Sequence, residues 1–230
     1  MDSCLNRPCE GDAVSETVIL TNGGGRSRPN RYNGAITREQ YLFRELVVAA
    51  RMLQDDPDPA AVLERIVSTN AFGYPTEREL RSIGRACLRR LVALSGDPSL
   101  RASLVDLLLN GIASQRHQVA LYAMARDNRL VEEFLVNVVA EKRRALDPSL
   151  TRRDIVTFLE GLCGQDAVVA SWSDATLNKI RQVLAKSLEE SGLYDRKEER
   201  LAPVLADPEL SRLMGLNDDG RLIPAFGEVI

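Results

Sequence analysis

The 230-residue sequence predicts an all-α, globular helical protein with two helix-turn-helix units and at most a small β-hairpin. Three observations lead to that class. Apolar residues recur at helical spacing along most of the chain, several of these runs open on capping signals, and no βαβ alternation or long alternating run marks a sheet. Composition agrees, since 44% hydrophobic and 27% charged residues suit a soluble core, while aromatics are few at 5% and Ala, Leu, Arg and Glu are abundant.

Residues 1–35 contain "NGGGRSRPNRYNG", where Gly, Pro, Asn and Ser oppose regular structure and Arg26, Arg28 and Arg31 add charge. This segment reads as a flexible basic arm, either an extension without a role or a short nucleic-acid-binding arm. Residues 36–147 form an N-terminal helical subdomain with the first helix-turn-helix, and residues 148–230 a C-terminal one with the second.

The first helix is expected to start at "TREQ", read as a capping box of Thr37 and Gln40, and to bury Leu42, Leu46, Ala49, Ala50 and Leu53. "DDPDP" stops it, because proline lacks an N–H and restricts the residue before it. A second helix runs from about Pro59 to Asn70. Thr76 and Glu79 then cap a helix with Leu80, Ile83, Cys87 and Leu91 on one face, and Asp97 and Pro98 open the next. Two more follow near residues 114–126 and 128–146, until "LDPSLT" interrupts the pattern. Thr151 and Asp154 cap a helix that buries Ile155, Phe158 and Leu162, and "DAVVASW" gives a short helix or turn. "SWSDATLNKIRQVLAKSLEESGLYD" is a further capped amphipathic helix. Two short segments near 198–206 and 207–215 and the apolar "LIPAFGEVI" complete the chain.

The two strongest helices share a plan. Placing Thr76 on Ser173 brings Leu80 onto Leu177, Ile83 onto Ile180, Cys87 onto Leu184 and Leu91 onto Leu188. Each copy follows a helix and a short turn, as in a helix-turn-helix, although any capped helix packing on a core repeats in this way. Opposite the apolar face, the first copy presents Arg78, Arg81, Arg85 and Arg89, and the second Ala175, Asn178, Lys179, Gln182 and Lys186. Guanidinium forks suit phosphates, and Asn and Gln suit adenine edges. A solvated helix face has the same make-up, and Glu77 and Glu79 would repel phosphates at the start of the first copy. Lys142, Arg143, Arg144, Arg152 and Arg153 flank the "LDPSLT" break, where they either offset a helix dipole or position phosphates.

With a net charge of −3 the protein as a whole lacks the charge of a strongly basic nucleic-acid-binding domain, so any such function has to rest on local patches. Cys4, Cys9, Cys87 and Cys163 form no CxxC pair, which points to free thiols and a reducing cytoplasm. No apolar run approaches the roughly 20 residues of a membrane span, and no export signal stands at the start. His117 is the only histidine and lacks companions for a metal site or a catalytic triad, and no phosphate-binding glycine loop follows a strand. Acid pairs such as Glu132 and Glu133 read as solvated surface, and Trp172 as an anchor beside the Ser173 cap. Neither a cofactor nor a catalytic residue is expected.

The blocks "FGYPTERELRSIGRACLRRL", "LYAMARDNRLVEEFLVNVVAEKRRALD", "VASWSDATLNKIRQVLAKSLEESGLYD" and "IPAF", in that order, resemble the BrxA family, small helical core proteins of BREX (bacteriophage exclusion) defence systems. The resemblance runs from about Tyr32 to Phe226 and leaves out most of the arm. It implies a cytoplasmic, all-helical protein with two helix-turn-helix units that binds double-stranded DNA with little sequence preference. It also implies work beside a methyltransferase, an ATPase and a phosphatase-like protein, and carries no catalytic residue. The combined expectation is a non-enzymatic DNA-binding component using Arg78, Arg81, Arg85, Arg89, Arg152, Arg153, Asn178, Lys179, Gln182 and Lys186. The rival is a protein–protein interaction module that scaffolds the defence complex, favoured by the acidic balance and the apolar "LIPAFGEVI".

Overall fold

The computed structural model describes residues 31–227. The arm up to residue 30, with Arg26, Arg28, Cys4 and Cys9, lies outside them. Its last part is anchored: Tyr32 is buried, its hydroxyl donates to Glu133 Oε2 at 2.6 Å, and the Arg129 guanidinium stands 4.3 Å from its ring centroid.

Helices α1 (Ile36–Glu39), α2 (Phe43–Asp55), α3 (Pro59–Ser68), α4 (Glu77–Ala93), α5 (Pro98–Asn110) and α6 (Ala113–Asp127) build the first half. Then come α7 (Arg129–Phe134), a π-helical turn (Leu135–Ala140) and α8 (Glu141–Arg144), which together fill the span expected as one helix. The second half holds α9 (Arg152–Cys163), α10 (Ala167–Ala170), α11 (Asp174–Glu190), strands β1 (Tyr194–Asp195) and β2 (Arg200–Leu201), then α12 (Pro208–Leu216) and α13 (Ile223–Phe226). The strands pair antiparallel with Tyr194 opposite Leu201, so the protein is all-α with a small hairpin.

Most ends follow local chemistry. The side chains of Asp58, Thr76, Asp97, Thr151, Ser173 and Asp207 accept backbone N–H bonds at the starts of α3, α4, α5, α9, α11 and α12. Helix α6 is buried from Gln118 to Ala125 on every side, as its run of apolar residues requires, and α4, α5, α7 and α11 pack around it. One hydrophobic cluster extends from Tyr32 to Phe226. Gly84 lets α3 close on α4, because a Cβ there would meet Leu63 Cδ1 at 2.8 Å.

The first helix departs from expectation. Thr37 does not cap it; Thr37 lies inside α1 and its hydroxyl donates to Gly34 O at 2.9 Å. The chain then breaks before α2, with Gln40 at φ 32° and Leu42 at φ 55°, both left-handed and strained for such side chains. The cause is Arg90, 1% exposed, whose guanidinium donates to the carbonyls of Glu39 (3.3 Å), Gln40 (2.8 Å) and Tyr41 (3.1 Å). A continuous helix would have kept those carbonyls for itself.

The apolar end of the chain also has a different fate from that of a docking segment. Leu222, Ala225 and Phe226 are buried, and Phe226 meets Tyr122 edge-on at 6.4 Å. Asp219, fully buried, accepts from Tyr122 Oη at 2.7 Å and pairs with Arg126 at 2.9 Å, tying this end to α6.

Replacing Arg90 with Met leaves three backbone carbonyls without their donor and is expected to lower stability by about 3 kcal/mol. Urea unfolding reads this directly, and a loss below about 1 kcal/mol would show that the break does not depend on Arg90.

Candidate nucleic-acid interface

In the first unit α3 packs against α4, and Thr76 Oγ1 accepts from Glu79 N at 3.2 Å. The expected arginine stripe on α4 divides into two pairs. Arg81 is held by Glu77 at 2.9 Å and by Glu64, and Arg89 by Glu39 at 2.6 Å and Asp127 at 2.7 Å. Arg89 thereby ties α4 to the ends of α1 and α6. Arg78 and Arg85 are exposed and make no ion pair among the described residues, although Arg85 acts at longer range on Glu64.

In the second unit α9 and α10 lead into α11, whose Ile180, Val183, Leu184 and Leu188 are buried. Asn178, Gln182 and Lys186 are exposed and Lys179 is half-buried, so the anticipated face does point outward. Lys186 lies 3.3 Å from Glu190. The basic cluster before α9 separates in the same manner as the stripe. Lys142 pairs with Asp147 (2.9 Å) and Asp154 (3.3 Å), Arg143 donates to Ala202 O (3.0 Å), and Arg144 pairs with Glu141. The Ser149 hydroxyl and the Lys142 ammonium hold Asp147 down at about 2. Arg152 and Arg153 start α9, exposed and with no ion pair among the described residues.

The fold brings Arg78 and Lys186 to one cleft of about 790 Å³ between the α1–α2 break, α4 and α11. Arg38 and Arg44 line it as well. Sequence reasoning missed them because it ran one helix through the break and so misplaced both side chains. Glu45, Glu79 and Glu190 also face the cleft, with Glu45 accepting from the Tyr74 hydroxyl at 3.1 Å.

His117 forms part of the cleft wall and stacks on Phe43 with centroids 3.8 Å apart, while the Tyr41 hydroxyl donates to its carbonyl at 2.5 Å. Burial lowers its pKa; Glu190 opposes this and Arg116 adds to it. It is a packed histidine at the edge of the core. Cys87 is fully buried, and burial pushes its thiol up to about 12, which leaves it inert. Trp172 packs half-buried against the core beside the Ser173 cap.

The BrxA family model matches residues 30–218. The chain belongs to the BrxA family. Similar relatives include a BREX protein BrxA of Bacillus cereus (strain H3081.97), 29% identical over 161 residues, covering 70% of this chain and 78% of the relative. Another is a BREX protein BrxA of Escherichia coli O9:H4 (strain HS), 27% identical over 174 residues and covering 75% and 79%. The crystal structure of an uncharacterized protein from Magnetospirillum magneticum has the same fold, with a TM-score of 0.69 at 22% identity over 86% of this chain and 98% of that one. The BrxA match includes α4, the start of α9 and α11, and so all ten candidate residues.

As the only histidine, His117 gives an unambiguous titration. Its folded pKa is depressed, so its contribution to stability is complete above the unfolded value of 6.5 and is lost as pH falls through the folded pKa. NMR titration of the ring protons should give a midpoint below 6.5, and a midpoint at or above it would contradict the burial described here.

Proposed function

We propose that this BrxA-family chain is a non-enzymatic, double-stranded DNA-binding component of a BREX phage-defence system, gripping DNA mainly through phosphates with little sequence preference. Family membership supports the defence role, and the observation that carries the DNA reading is electrostatic. In a protein of net charge −3, Arg78, Arg85, Arg152 and Arg153 stay exposed without an ion pair among the described residues, and α11 turns Asn178, Gln182 and Lys186 outward with Lys179 half-buried beside them. Unpaired guanidinium groups are what phosphate contacts need, and an outward polar helix face suits a groove. The α3–α4 and α9–α11 pairs serve as the two helix-turn-helix units, with α11 the principal reading helix.

No helix among the described residues is long and apolar enough to cross a membrane. The partners proposed, on family membership, are duplex DNA and the other BREX proteins, a methyltransferase, an ATPase and a phosphatase-like protein, in the cytoplasm. The scaffold reading loses one of its supports, since the apolar "LIPAF" segment is folded into the core.

A salt titration of duplex binding tests the assignment. Arg152→Ala with Arg153→Ala should reduce the slope of log K against log salt by about 2. Arg81→Ala should leave it unchanged, because its charge is already neutralised by Glu64 and Glu77. Equal slopes for all three proteins would remove the α9 start from the interface. Asn178→Ala with Gln182→Ala is expected to weaken binding to unrelated duplexes by similar factors, and a loss confined to one sequence would refute the lack of preference. Recovery of the other BREX proteins after nuclease treatment, with duplex binding absent, would favour the scaffold instead.

A further inference from the structure

The flank of α11 beyond Asn178, away from Lys186, carries a second group of cations. Arg181 is half-buried there, and its Nε is enclosed with no hydrogen-bond partner among the described residues. The other described arginines that are buried or half-buried meet a carboxylate or a carbonyl: Arg65 with Met52 O, Arg101 with Ser95 O, Arg116 with Leu108 O and Arg126 with Asp219 are instances. Arg181 is the exception.

The surface it meets is built by the start of α9 and by the hairpin, which are laced together. Leu150 N donates to Glu199 O at 2.8 Å, Leu201 N to Pro148 O at 2.7 Å and Arg152 N to Glu199 Oε1 at 3.3 Å, while α9 and β1 both pack on α11. This brings Arg152, the first residue of α9, and Arg196, in the hairpin turn, into the surroundings of Arg181. Burial, then the charges of Arg152 and Arg196, lower the Arg181 pKa, and no carboxylate acts against them. The nearby acids are turned to backbone amides: Glu199 accepts from Arg152 N, and Asp195 accepts from Lys197 N and Glu198 N. Holding a half-buried guanidinium against two like charges is costly unless an anion completes the arrangement.

We infer that Arg152, Arg181 and Arg196 form a binding site for a single phosphate group. The guanidinium groups supply charge-assisted donors that can fork around one phosphate. A phosphodiester of the DNA backbone and a free phosphate share this chemistry. Use of the site on DNA rests on the function proposed above, whereas its affinity for phosphate does not.

The test titrates inorganic phosphate into the full chain at constant ionic strength, balanced with chloride, and follows the thermal midpoint. Wild type, Arg181→Gln, Arg196→Gln and the charge-matched control Arg212→Gln are compared. Wild type and the control should be stabilised in parallel, and the Arg181 and Arg196 variants should bind phosphate about tenfold more weakly. In chloride alone Arg196→Gln should match or exceed wild type, since a like-charge repulsion has been removed; a role in packing alone predicts a loss. An equal response to phosphate in all four proteins overturns the site. A second arm measures duplex DNA. If Arg196→Gln lowers the salt slope by about 1, the ligand is the DNA backbone. If phosphate binding is lost but duplex binding is not, the site stands and serves a free phosphate. If wild type binds phosphate but no duplex, the proposed function fails and the site remains.

Discussion

Arg90 sits inside the core with a charge that has to be met, and the chain meets it by breaking a helix. Its hydrogen bonds go to three consecutive carbonyls, which a continuous helix would have engaged internally. Leaving a buried guanidinium unpaired costs several kcal/mol, more than the roughly 1–3 kcal/mol for each residue held at positive φ, so the break at Gln40 and Leu42 is the cheaper solution. The consequences spread outward. The break turns Arg38 and Arg44 into the cleft and sets Glu39 where Arg89 can reach it, and Asp127 then serves both Arg89 and Arg90.

The same accounting sorts the cations that join separate elements. Carboxylates at the edges of the core take up Arg81, Arg89, Arg126 and Lys142, where ion pairs join separate elements. Arg78 and Arg85 on α4 and Arg152 and Arg153 at the start of α9 remain exposed without an ion pair among the described residues, as do Arg38 and Arg44 on either side of the α1–α2 break. In a chain of net charge −3, part of the negative charge goes into ion pairs that hold helices together. The hairpin contributes by carrying Arg196 in its turn, close enough for its charge to act on Arg181.

Features governed by neighbours in sequence were legible. The caps at Thr76, Asp97, Thr151 and Ser173 depend on a side chain meeting an amide two or three residues on, and the apolar faces of α4 and α11 follow from the helical period. The break after α1 was not, since Arg90, fifty residues beyond Gln40 in the chain, captured its carbonyl. The apolar "LIPAF" was recognisable as apolar, yet only its packing on Tyr122 shows that it is core. Arg181 escaped notice because its helical position lies between the buried and the outward faces, and its neighbours come from segments on either side of α11.

By itself the sequence determined the helical class, most of the helix starts, the buried faces and the blocks that mark a BrxA-family chain. All of these are encoded by short-range spacing. Which arginines belong to the core and which meet solvent was decided by the tertiary structure alone. An ion pair joins residues that only packing brings together, and a charge has the same appearance in sequence whether a carboxylate neutralises it or not.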